Sequence, residues 1–140
     1  MEFVKKSNYT VGDVVYAQNL NMNYDYRLPE SESNSKVVKN FFLVLYAESQ
    51  DPLTVHRKNY LAVKLTTNIV DEQIYTCGFD LSKNNFLNKQ SWVSCSKVHT
   101  LDENQIIGSL GTFDKNTMKK VTRVFTRFQN EVQRQLLESI

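Results

Sequence analysis

The sequence predicts an α+β domain: a small, strongly curved antiparallel sheet or barrel carrying a long C-terminal helix. Three stretches lead there. Asn40 to Tyr46 (NFFLVLY) is a continuous apolar run of strand length, as expected of a central strand covered on both sides. Tyr60 to Thr66 (YLAVKLT) is a second core strand. After Asp114, the apolar residues Met118, Val121, Phe125, Phe128, Val132 and Leu136 fall three or four apart, which is one face of a long helix. Several strands followed by a helix at one end is an α+β order and not an alternating one.

Taken along the chain, Met1 to Tyr9 is expected to be a loose lead-in. Val11 to Ala17 alternates as a strand does, and Gly12 permits close backbone approach at its start. Gln18 to Lys36 holds four Asn, three Ser and Pro29 with no helical or strand period. A loop longer than about 12–15 residues inside a compact domain is usually functional or mobile. Tyr24, Tyr26 and Arg27 in this loop, with Lys36 at its end, are suited to stack on bases and pair with phosphate. A polar connection, Glu48 to Lys58, precedes the second core strand. Gln73 to Phe79 is a third strand, with Gly78 marking a bend or bulge. Beyond polar Leu81 to Gln90, the residues Trp92, Val93, Cys95 and Val98 form a short strand. Asp102 to Ile107 reads as one or two helical turns stopped by Gly108. Asp114 then caps the long helix, its carboxylate suited to accept from the first-turn amides.

At 140 residues the chain suits one domain, 1–140, large enough to need no staple. With 23% charged and 41% hydrophobic residues it has the balance of a folded protein. No run approaches a membrane span, and MEFVKKSNY has no apolar core for a signal peptide, so a cytoplasmic location is expected. Cys77 and Cys95 lack zinc spacing and are expected as buried thiols. A net charge of +2 permits an RNA partner without implying one. With four glycines in all and no metal-ligand cluster, neither a phosphate-binding glycine loop nor a cofactor or metal site is expected.

Particular residues carry a resemblance. Trp92-Val93, His99-Thr100-Leu101-Asp102, Ile107-Gly108, Phe113-Asp114 and Thr117-Met118 follow one another in the order and spacing of the C-terminal half of the MazF/PemK toxins of bacterial toxin–antitoxin systems. Val11-Gly12-Asp13-Val14-Val15-Tyr16 resembles that family's opening strand, and Phe41 to Thr67 matches more weakly. The resemblance implies an SH3-like barrel with a C-terminal helix. It implies a homodimeric toxin that acts as a metal-independent, sequence-selective endoribonuclease. RNA would lie along a groove near the dimer interface, and an antitoxin with a disordered segment would fold into that groove. Single-stranded RNA is the sensible substrate, because unstacked bases can be splayed and read. Two alternatives accompany this expectation. One is a relative that binds RNA or antitoxin without cutting. The other is a gyrase poison of the same fold, whose members carry an aromatic near the C-terminus; this chain ends QLLESI.

Cutting RNA without a metal requires a group for the 2′-hydroxyl proton, a proton for the leaving 5′ oxygen, and donors for charge on phosphate. By resemblance, the family's strand-end hydroxyl maps onto Thr66, with Thr67 adjacent. The family's Arg-Pro before the apolar strand maps onto Lys39-Asn40. Lysine keeps the charge and loses the planar fork that grips two oxygens. His56 and His99 suggest a two-histidine nuclease; His56 lies in a polar connection, whereas His99 stands where the family often has Arg. Asp102 could orient His99 or cap the short helix. Lys119, Arg123 and Arg127 lie four apart on the closing helix, a stripe that could meet RNA or an acidic antitoxin segment, but a solvated charged face is the default reading, because the opposite apolar stripe already explains the helix.

Overall fold

The computed structural model describes residues 3–19, 38–48, 58–67, 75–79, 84–87 and 89–140. Among them are six strands: β1 (Asp13–Asn19), β2 (Val38–Ala47), β3 (Asn59–Thr66), β4 (Thr76–Gly78), β5 (Trp92–Asp102) and β6 (Ile106–Thr112). A 3-10 turn, Glu103–Gln105, joins β5 to β6, and helix α1 (Lys115–Glu138) ends the chain. All ladders are antiparallel, in the order β4-β5-β3-β2-β1-β6.

That order forces curvature. In a flat sheet β5 and β6 would stand four strand spacings apart, about 19 Å. The connection from Asp102 to Ile106 spans at most about 14 Å even when fully extended, and here it is a tight turn. The sheet must therefore curl until β5 and β6 meet at this corner. No ladder joins them, so the expected closed barrel is met only as an open, curled sheet among the described residues.

Curling gives the sheet two cores. Val15, Ala17, Phe42, Val44, Tyr60, Ala62, Leu101 and Ile106 fill the inside with Tyr9. Val14, Leu43, Val63, Leu65, Val93 and Cys95 face the other way, under Val121 and Val124 of α1. Adjacent strand residues thus enter different cores, which explains why NFFLVLY is apolar at nearly every position.

Several local expectations are corrected. The lead-in is anchored: Val4 and Ser109 exchange backbone hydrogen bonds of 2.8 Å, Phe3 stacks on Tyr16 at 4.9 Å, and Tyr9 is buried. The helix expected over Asp102 to Ile107 is only the 3-10 turn, and Ile107-Gly108 belongs to a strand. Gly108 does not stop a helix; a Cβ there would lie 2.8 Å from that of Phe3, so glycine admits the crossing N-terminal segment. Gly12 has a φ of 97°, a conformation glycine adopts without strain. The strand starting at Trp92 runs to Asp102 because its polar residues fall in a bulge, where one step of β3, Val63 to Lys64, faces the four from Val98 back to Ser94.

Asp114 occupies the N-cap position with extended backbone angles, but its carboxylate caps no backbone amide. It accepts instead from the Thr117 hydroxyl. Buried Asn84 donates to that Thr117 oxygen at 3.1 Å and accepts from the Asp114 amide at 3.4 Å, tying the helix start to the core. Along α1 the apolar stripe is covered at Val121 and Val124, with Met118 and Phe125 packed on the core, whereas Val132 and Leu136 are exposed.

Candidate functional site

The expected residues divide into three groups. Tyr24, Tyr26, Arg27, Lys36 and His56 lie outside the described residues. Lys39 and Thr66 occupy the same end of the sheet, because β2 begins where β3 finishes. Thr66, the last residue of β3, is partly buried opposite Trp92, and Thr67 follows it in the open. Lys39 is exposed opposite Gln18. Strand alternation sends the two side chains to different faces. Lys39 shares a face with Phe41 and Leu43 of the helix-side core, whereas Thr66 shares one with Ala62 of the inner core. Asn40 is the β2 residue on the same face as Thr66.

His99 stands elsewhere on the ladder. It pairs with Ala62, four residues before Thr66, a separation of about 13 Å along the strand. Its ring meets Phe42 edge to face, with centroids 5.3 Å apart. Asp102 does not orient it. The Asp102 carboxylate accepts from the Asn104 amide at 2.9 Å while Gln105 Oε1 accepts from the Asp102 amide at 2.7 Å, a capping box for the 3-10 turn.

Between His99 and Thr66 lies Lys64, two residues from each register position and on the same face. In the sequence Lys64 is one letter of a core strand, and its only signal is that a lysine amid YLAV-LT breaks the apolar run. Lys64, Ser96, Lys97, Val98 and His99 line a cavity of about 370 Å³ on the β5 bulge. Burial, then the neighbouring Lys97, lowers the pKa of Lys64. Burial, then Lys64 and Lys97, lowers that of His99, favouring a neutral imidazole near pH 7. Beside them Ser94, opposite Lys64, is fully buried, and its hydroxyl has no partner among the described residues.

A groove of about 800 Å³ lies away from these residues, between β4 and α1, where Arg123 and Arg127 stand over Cys77. Arg123 also lines a second groove with Lys119. Cys77 and Cys95 are buried free thiols, as expected. Burial pushes the Cys95 thiol up to about 12 and raises that of Cys77, which makes both poor nucleophiles. No group of three or more potential metal ligands gathers among the described residues. No helix among them is long and apolar enough to cross a membrane.

A mycobacterial endoribonuclease structure matches with a TM-score of 0.58 at 17% identity, covering 90% of this chain and 93% of the other. A second, an endoribonuclease in complex with its cognate antitoxin from a mycobacterial species, matches with a TM-score of 0.56 at 17% identity, covering 83% and 89%. The Mycobacterium tuberculosis toxin MazF-mt6 matches at 0.51 and 17% identity over 64% of this chain and 84% of its own. At such identity these likenesses establish the fold alone. Among curated protein sequences nothing matches. The family model of the PemK-like, MazF-like toxin of type II toxin–antitoxin systems matches residues 23–128, most of the chain. The chain therefore belongs to the PemK/MazF toxin family of type II toxin–antitoxin systems.

Proposed function

We propose that the protein is a cytoplasmic, metal-independent endoribonuclease that cuts single-stranded RNA at a short sequence and serves as the toxin of a two-gene module. The observation that carries this reading is the row of polar side chains on one face of β3 and β5: the hydroxyl of Thr66, the cation of Lys64 and the imidazole of His99. An RNA strand laid along that row would meet a donor, a charge and a titratable ring in succession. Family membership supports the same reading.

The scissile phosphate is assigned to the Thr66 end. There the 2′-hydroxyl attacks phosphorus, the bond to the 5′ oxygen breaks, and a 2′,3′-cyclic phosphate and a 5′-hydroxyl result. One proton leaves the 2′ oxygen and one reaches the 5′ oxygen, so the transfer balances. Thr66 donates to a non-bridging oxygen, Thr67 flanks it, and Lys39 supplies positive charge and carries a proton. His99, about 13 Å along the ladder, contacts the same strand of RNA at a different nucleotide. Tyr24, Tyr26, Arg27 and Lys36 are assigned to the bases and phosphates beyond.

A homodimer is part of the reading, as is an antitoxin partner; one of the mycobacterial relatives was itself captured with its cognate antitoxin. One assay tests the core of it: purified protein, a long unstructured RNA and excess EDTA. Discrete cuts leaving cyclic phosphate ends are expected. Intact RNA in EDTA with cutting restored by a divalent cation would overturn metal independence. Intact RNA under both conditions would favour a relative that binds without cutting, a reading to which the opposed faces of Lys39 and Thr66 give specific support.

A further inference from the structure

The cavity on the β5 bulge holds more positive charge than the fold requires. Lys64 and Lys97 line it together with His99, and among the described residues neither lysine forms an ion pair. The charges acting on His99 are those same two lysines, one from β3 and one from β5, while its neighbour from β2 is the apolar ring of Phe42. Lys64 and His99 are half-buried and Lys97 is exposed beside them, and like charges gathered this closely repel one another unless an anion joins them.

The bulge explains how the site is built. A regular β5 would send successive side chains to opposite faces, but between Ser94 and Val98 the strand loops out against a single step of β3. That excursion brings Ser96 and Lys97 to the cavity that Lys64 and His99 line. Bulges commonly re-aim side chains in this way.

We propose that this cavity is a binding site for a phosphate oxyanion, held by Lys64, Lys97 and His99 with hydroxyl donation from Ser96. The assignment of that phosphate to RNA, as a group flanking the cut, rests on the function proposed above; free inorganic phosphate is the other source of the same chemistry. In either case His99 is a binding residue and not a proton carrier at the scissile bond.

The test follows the His99 ring protons by NMR across pH in the whole protein, alone, with inorganic phosphate, and with an unstructured DNA oligonucleotide that lacks the attacking 2′-hydroxyl. An anion between the two lysines reverses their effect, so the His99 pKa should rise with bound ligand. Binding of the oligonucleotide by Lys97→Gln should weaken on the order of three- to tenfold, and its log–log salt slope should fall by about 0.7, one phosphate contact on a single strand. A response to inorganic phosphate alone would keep the oxyanion site and remove RNA as its source. An unmoved His99 with both ligands would overturn the site, and an unchanged salt slope in Lys97→Gln beside a phosphate-responsive His99 would likewise remove RNA as its source. RNA cutting by a wild type whose His99 ignores phosphate would refute the site and leave the ribonuclease reading standing. A phosphate-responsive His99 in a protein that cuts nothing would do the reverse.

Discussion

Phe42 and His99 meet edge to face across the curled sheet, with ring centroids 5.3 Å apart and 73° between planes. The contact half-buries the imidazole, and with Lys64 and Lys97 nearby its charged form is disfavoured, so its pKa lies below the ordinary 6.5. When the folded pKa is depressed, the unfolded chain takes up the proton first as pH falls below about 6.5, so the stabilising contribution is present above that value and is lost on acidification through the folded pKa. Thermal melts from pH 8 to pH 5 should show falling stability in the wild type and a shallower fall in His99→Gln. Identical pH profiles would mean that the ring is not held neutral by the fold.

Helix α1 separates its buried face from its exposed end. Val121 is 1% exposed and packs on the helix-side core, whereas Leu136, on the same apolar stripe, is 61% exposed. Val121→Ala removes two buried methyl groups and should cost about 2–3 kcal/mol. Leu136→Ala should change stability by no more than about 0.5 kcal/mol in the monomer. Denaturant unfolding of both variants at one protein concentration decides it, and equal losses would contradict the assigned packing.

The strands and the long helix were legible because each repeats one pattern over many residues: apolar runs in β2 and β3, a stripe at helical spacing in α1. Strand β6 was hidden. Ile106-Ile107-Gly108 is too short to show an alternation, and the meaning of Gly108 lies in a contact with Phe3, more than a hundred positions away in sequence. His99 was visible as a titratable residue, yet its neighbours were not, since Lys64 and Lys97 reach it only through strand pairing and a bulge. The opposed faces of Lys39 and Thr66 likewise appear only once the register of β2 and β3 is known.

Thr66 tests the end of the sheet assigned to the cut. It ends β3 opposite Trp92, on the same face as Lys64. If its hydroxyl donates to the phosphate in the transition state, Thr66→Ala should fold normally and cut RNA on the order of 10²–10³ times more slowly, the typical loss for one such donor. Single-turnover cleavage gives the number. Cutting at the wild-type rate would transfer the role to the adjacent Thr67.

Lys39 is the sharpest test, because it stands where the resemblance implies arginine and its strand position turns it from Thr66. A lysine stem is long and flexible, and at the exposed start of β2 it can still reach a phosphate lying across the end of the sheet. If it does, Lys39→Ala should abolish cleavage and growth inhibition with an unchanged melting temperature. Lys39→Arg, with a guanidinium that can grip two oxygens at once, should retain or raise the rate. Should Lys39→Ala cut as well as the wild type, the cation at the scissile phosphate must come from the face Thr66 occupies. Lys64 is the residue placed there, and Lys64→Ala would then be the variant that loses cleavage. A wild type that cuts nothing, joined to a Lys39→Arg, Asn40→Pro variant that does, would show instead that the chain binds through this surface and lacks its catalytic cation.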